Sequence, residues 1–135
     1  MTTKTAETVD LFFQTMASEG VRAAVERYAA EDYTWWSAGA GNVEDRIGEF
    51  MDEFATQVSG AFELNVGTKT CGGDRVAVEV ELRAELTDER LYHNKFHFLF
   101  EFRNDVIIKV SEYHDTRHAY ETIGPTLRKV GFVDA

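Results

Sequence analysis

Residues 92–115 read YHNKFHFLFEFRNDVIIKVSEYHD, an aromatic strand, a tight turn and a second strand ending in a polar cluster. Phe96, Phe98, Phe100 and Phe102 alternate with His97, Leu99 and Glu101, so one face of the first strand is apolar at period two. Asn104-Asp105 supplies the turn. In the second strand the same alternation puts Ile108 and Val110 on the inner face and carries it on to Glu112 and His114. A carboxyl group and an imidazole are thus expected at the end of an apolar wall. Acids are rarely buried unless something answers their charge, so this end of the strand is the first candidate for a site.

Outward from that hairpin the pattern continues. Val76, Val78, Val80 and Leu82 alternate with Glu79, Glu81 and Arg83, and Gly72-Gly73-Asp74 connects them to a further strand over 62–71. Thr87 to Arg90 links strand 76–86 to the aromatic strand. Short connections between consecutive strands predict an antiparallel meander. Pairing 76–86 with 91–102 has to match like faces, because a slip of one residue would invert every side chain. The inner face then carries Val76, Val78, Val80, Leu82, Asn94, Phe96, Phe98 and Phe100. The outer face carries Glu79, Glu81, Arg83, His93, Lys95 and His97.

The first half of the chain has helical spacing instead. Val9, Phe12, Phe13 and Met16 predict one amphipathic helix ending near Gly20, and Val21, Ala24, Val25 and Tyr28 a second. Tyr33 to Ser37 predicts a short strand, with Gly39 and Gly41 in the loop after it. Asn42, with Asp45 three residues on, is the expected N-cap of a third helix through Ile47, Phe50, Met51 and Phe54, closed by Gly60. A short helix is expected over 116–122, stopped by Gly124-Pro125. The fold class is therefore α+β: three N-terminal helices packed on one face of a curved antiparallel sheet, in a single domain over 1–135. Phe12, Phe50, Phe54, Val78, Val80, Phe96 and Phe98 are the expected core.

A chain of 135 residues can enclose one sizeable core. Lys and Arg total 14 against 24 Asp and Glu, a formal charge of −10, which repels phosphate backbones and anionic lipid. Nucleic acid and membrane are not expected partners. The single cysteine, Cys71, excludes an intramolecular disulfide and a cysteine-based zinc site. The opening MTTKTAETVD has no apolar core of a signal peptide, so a cytoplasmic location is expected.

The chain resembles the SnoaL-like branch of the superfamily named for nuclear transport factor two, which includes ketosteroid isomerases, limonene epoxide hydrolase and polyketide cyclases. The resemblance covers nearly the whole chain. It rests on the element order, on AAEDYTWWSAG after the second helix, on YHNKFHFLFEF, and on VIIKVSEYHDT at the end. It implies a cone-shaped roll with a deep apolar pocket between helices and sheet, and a homodimer through the outer sheet face with Glu79, Glu81, Arg83, His93, Lys95, His97 and Leu99. From epoxide-hydrolase-like members it carries pocket roles onto Trp35, Ser37 and Glu112. It departs from them at Val78 and Val80, where those hydrolases have a second carboxylate and an arginine.

Glu112 and His114 are the candidate catalytic pair. An apolar pocket would raise the proton affinity of Glu112 toward neutrality, and His114 titrates there already. The ordinary readings are a partly solvated strand end, or a structural pair whose two groups satisfy each other. Trp35, Ser37, Phe50, Phe54, Asn94 and Phe96 are the expected substrate contacts. Against that, Trp35 is a good core residue, Ser37 an ordinary strand-end serine, and Asn94 lies near enough to its strand start to be exposed. Tyr28 and Tyr92 could supply phenolic donors, though large aromatics more often fill cores. His93 and His97, about 13 Å apart at strand rise, cannot share a metal ion and are expected to pair with Glu79, Glu81 or Glu85. No metal and no cofactor is expected, since no clustered ligand motif or phosphate loop is present. Two classes of function stay open at this point. One is a cofactor-free isomerase, cyclase or hydratase/hydrolase acting on a small apolar carbonyl-type compound. The other is a non-catalytic apolar-ligand-binding or dimeric structural domain.

Overall fold

A computed structural model describes residues 3–134. Helix α1 spans Lys4–Glu19, with the Thr3 hydroxyl accepting from the Ala6 amide at 3.1 Å as its N-cap. Gly20 ends it at φ 101°, a left-handed value costly for any residue with a Cβ, and α2 (Val21–Tyr28) starts at once. Strand β1 (Ala29–Ser37) and a two-residue β2 (Gly41–Asn42) precede α3 (Ile47–Gln57). The meander is β3 (Val58–Gly72), β4 (Arg75–Leu86), β5 (Leu91–Arg103) and β6 (Val106–His114), and α4 (Thr116–Lys129) closes the chain.

The six strands form one sheet in the order β2-β1-β6-β5-β4-β3. Like faces pair as the alternation demands: Val76 opposite Phe100, Val78 opposite Phe98, Val80 opposite Phe96, Leu82 opposite Asn94. Helix α1 lies across the inner face, Phe12 meeting Phe100 edge-on at 5.5 Å and Phe13 meeting Phe98 at 5.2 Å between ring centroids. In β3, next to the register shift after Val66, a Cβ on Gly67 would stand 2.9 Å from the Glu79 carbonyl oxygen, so the backbones approach too closely there for a side chain.

Four local expectations change. β1 pairs with β6 in parallel, so the sheet is mixed: α3 and four strands intervene between them, long enough for a crossover. Ile108 does not share the inner face with Val110. Glu101 pairs with Lys109 but Phe102 pairs with Ile107, which makes Ile108 an extra bulge residue and turns Ile107 inward. Asn42 does not cap α3. It pairs with Trp36 in β2, the Val43 amide donates to the Trp35 carbonyl at 2.7 Å, and the helix begins only after a turn, with Arg46 at its N-cap and strand β3 taking over before Gly60. Helix α4 does not stop at Gly124. It kinks at Ile123 (φ −124°) and restarts with Pro125 in a first turn, where its missing N–H costs nothing, and so returns Leu127 and Phe132 to the interior.

Candidate functional site

Between the inner sheet face and helices α1, α3 and α4 lies a cavity of about 450 Å³. Its walls are mainly apolar, with Phe13, Met51, Phe54, Val80, Leu82 and Phe98 among them. Phe50 and Phe96 are half-buried because they face this space, where a filled core would have enclosed them. Of the expected site residues, Trp35, Ser37, Phe50, Phe54, Phe96, Glu112 and His114 all line it.

Glu112 sits at its floor, 7% exposed. The parallel pairing of β1 with β6 sets Ser37 directly beside it, and the Ala38 amide donates to the Glu112 carbonyl at 3.0 Å, fixing the backbone. The Trp35 indole Nε1–H donates to Glu112 Oε1 at 3.1 Å. Trp35 itself is 2% exposed and held by Phe12 and Phe98, while its amide donates to Glu44 Oε1 at 3.0 Å. Burial among apolar groups pushes the Glu112 carboxyl up from 4.5 to about 7, with hydrogen bonds from Ser37 and Trp35 pulling in the opposite direction. A carboxyl group so poised takes or gives a proton at neutral pH.

No family model matches the sequence, and no curated protein matches it. Among solved structures, a nuclear-transport-factor-two-like protein of unknown function from Burkholderia pseudomallei superposes with a TM-score of 0.76 at 18% identity, over 90% of this chain and 98% of that one. A candidate SnoaL-like polyketide cyclase from a Jannaschia species gives 0.73 at 18%, over 89% and 91%. TerC, co-crystallized with polyporic acid, gives 0.74 at 16%, over 90% and 99%. The fold is SnoaL-like.

Within the SnoaL-like frame, His114 lies two residues beyond Glu112 and packs on Phe96 at 5.1 Å between ring centroids. Of the two ordinary readings, that of a pair satisfying each other finds no hydrogen bond between the two side chains among the described residues. Burial holds the imidazole below its ordinary 6.5, with Asp115 opposing, so it is neutral at neutral pH and brings no cation to Glu112. Its Nδ1 is buried and has no hydrogen-bond partner among the described residues, while the residue as a whole lines the cavity.

Asn94 is buried at 2%, yet it is not among the residues that line the cavity. Its Oδ1 accepts from the Asp115 amide at 3.1 Å, and its Nδ2 donates to the Asp115 carbonyl at 3.1 Å and to Tyr92 Oη at 3.0 Å. The amide is consumed in holding the start of α4 against β5, which removes it from direct contact with a ligand. The residue that takes its place in the wall is Tyr92, 3% exposed. The signal for it was present: an aromatic hydroxyl two residues before Asn94 shares the inner face. On the outer face, His93 Nε2 lies 3.1 Å from Glu81 Oε2, the cross-strand pairing the sequence predicts, and His97 stands opposite Glu79.

Proposed function

We propose that this chain is a cofactor-free acid/base catalyst acting on a small, largely apolar carbonyl compound, by isomerisation, cyclisation or hydration. One observation carries the reading: a carboxyl group with a pKa near 7 stands inside an apolar cavity, held by an indole N–H. Glu112 in its anionic form takes a proton from the carbon next to the carbonyl and, once neutral, returns it at another position. Trp35 Nε1–H restrains Oε1 and steadies the anion, and Ser37 assists it. The apolar walls exclude water that would otherwise compete for the reactive enolate. Neutral His114 supplies an uncharged ring to the wall beside Glu112. The neighbours add support for an organic ligand: a candidate polyketide cyclase and a protein co-crystallized with polyporic acid share this fold.

The test is proton exchange. A panel of enolisable ketones is incubated with the protein in deuterium oxide, and label at the α-carbon is followed by mass spectrometry. The Glu112→Gln variant should exchange roughly two to four orders of magnitude more slowly while still binding the ketone, the usual size of a general-base contribution. Binding without any exchange by the unaltered protein would assign the cavity to ligand carriage instead of catalysis.

A further inference from the structure

The geometry points to Tyr92 as the hydrogen-bond donor to a carbonyl-type oxygen at one end of an elongated, largely apolar ligand, the end away from Glu112. This rests on the cavity being a small-molecule site, as proposed above, and defines the shape of molecule it takes. Asn94 settles the direction of the bond. Its Oδ1 must face the Asp115 amide and its Nδ2 the Asp115 carbonyl, so the orientation of the amide is fixed. The remaining Nδ2 hydrogen is therefore aimed at Tyr92 Oη, which is the acceptor at 3.0 Å. The phenol's own hydrogen must go elsewhere, and among the described residues it meets no acceptor. A buried hydroxyl with its donor unused is costly unless a partner arrives, and the space it borders is the cavity.

The ring cannot turn aside. It stacks on His118 at 5.4 Å with planes 10° apart and meets Phe54 edge-on at 5.7 Å. His118 is held in turn by the His93 amide, which donates to its Nε2 at 3.1 Å. Burial raises the phenol's pKa, the Asn94 bond opposes this, and the charges of Glu112 and Asp115 add to the rise, so the donor keeps its proton at neutral pH. Asn94 is thus a positioning residue acting through Tyr92.

The layout of β5 gives the ligand its length. Glu112 pairs with Phe98, six residues from Tyr92 along the same strand, about 20 Å of backbone at strand rise. The Tyr92 hydroxyl reaches back to Asn94, four residues from Phe98, which shortens the span to about 13 Å or less and lets the Glu112 charge act on the phenol. Phe96 and Leu82 form apolar floor in between. A molecule touching both Glu112 and Tyr92 is therefore long and apolar in the middle, with oxygen at the Tyr92 end.

A matched pair of probes tests this: 4-acetylbiphenyl and its apolar counterpart 4-ethylbiphenyl, titrated calorimetrically well above the Glu112 pKa, where that carboxyl cannot donate. The unaltered protein should prefer the ketone. Tyr92→Phe keeps the ring stack and should weaken ketone binding about three- to tenfold, the size of one neutral hydrogen bond, while leaving the hydrocarbon within about twofold. Equal loss for both probes, no loss for the ketone, no preference in the unaltered protein, or no binding of either probe would each overturn the assignment. Should Tyr92→Phe fail to fold, the infrared carbonyl stretch of 4-acetylbiphenyl bound to the unaltered protein decides. It should lie below its value in hexane, and an unshifted band overturns the proposal. Because the readout is binding, it stands even if Glu112 proves not to transfer protons.

Discussion

Replacing Glu112 by Gln should change how stability depends on pH, and the structure sets the size and the sign. The folded carboxyl has its pKa at about 7, against 4.5 for an ordinary one. Between those two values the folded chain binds a proton that the unfolded chain has released, so the free energy of unfolding falls as pH rises through the window. At about 1.4 kcal/mol for each tenfold difference in proton affinity, the gap of about 2.5 pH units comes to about 3 kcal/mol. The group is too deeply buried for solvent to screen that cost away. Glutamine carries no charge at any pH and can still accept from Trp35 Nε1–H, though its NH₂ must find a partner, a constant cost of about 1 kcal/mol. Urea unfolding of both proteins from about pH 4 to about pH 8.5 isolates the effect, because every other titrating group cancels in the difference. The unaltered protein should be the more stable near pH 4 and the variant the more stable near pH 8, a relative swing of about 3 kcal/mol. Two curves that stay parallel across the window would show that Glu112 titrates normally, and the case for it as the proton acceptor would fall with them.

Three further outcomes follow from the same geometry. Trp35→Phe removes the indole donor from Oε1, so the Glu112 carboxyl should rise further above 7 in a carbon-13 NMR titration; a fall would refute the role given to that bond. The His114 ring should titrate below 6.5 by proton NMR, and since the unfolded chain then binds the extra proton, this residue's contribution to stability is present above 6.5 and lost as pH falls below it; a midpoint above 6.5 would contradict the buried, neutral imidazole. Light scattering at micromolar concentration should give the mass of a dimer, and Leu99→Lys on the outer sheet face should halve it; a monomer before substitution would remove that face from consideration as an interface.

The sheet register was legible because period-two alternation in Val76 to Leu82 and Phe96 to Phe100 admits only one pairing that buries both sets. The position of Glu112 followed from the same alternation, and it survived the bulge at Ile108 only because the inner phase is recovered at Val110. Bulges of this kind depend on how two strands are forced to curve around a core, which no local pattern encodes. Asn94 shows a different limit. Alternation placed it on the inner face correctly, but whether its amide meets a ligand or a backbone depends on where α4 begins, a contact between parts of the chain 21 residues apart. The neutral state of His114 was equally out of reach, because it is set by the packing of Phe96 and the depth of the wall around it. At α4, Gly124-Pro125 predicts a stop where the structure has only a kink at Ile123, because a proline that can end one helix is also well suited to the first turn of the next.

The parallel union of β1 with β6 has a consequence for how the protein comes into being. Trp35 and Glu112 lie 77 residues apart in the chain, whereas β3, β4, β5 and β6 each pair with a sequence neighbour across a short turn. The meander closes through small loops; the joint that brings the indole to the carboxyl closes one of the largest loops in the molecule, and its entropy is recovered only when the two strands meet. On a ribosome, β1 emerges early and has no partner for its long edge until β6 has followed it out. The contact between indole and carboxyl therefore forms only once β6 has joined β1, and in a Trp36→Phe background the fluorescence of Trp35 becomes a clock for that step.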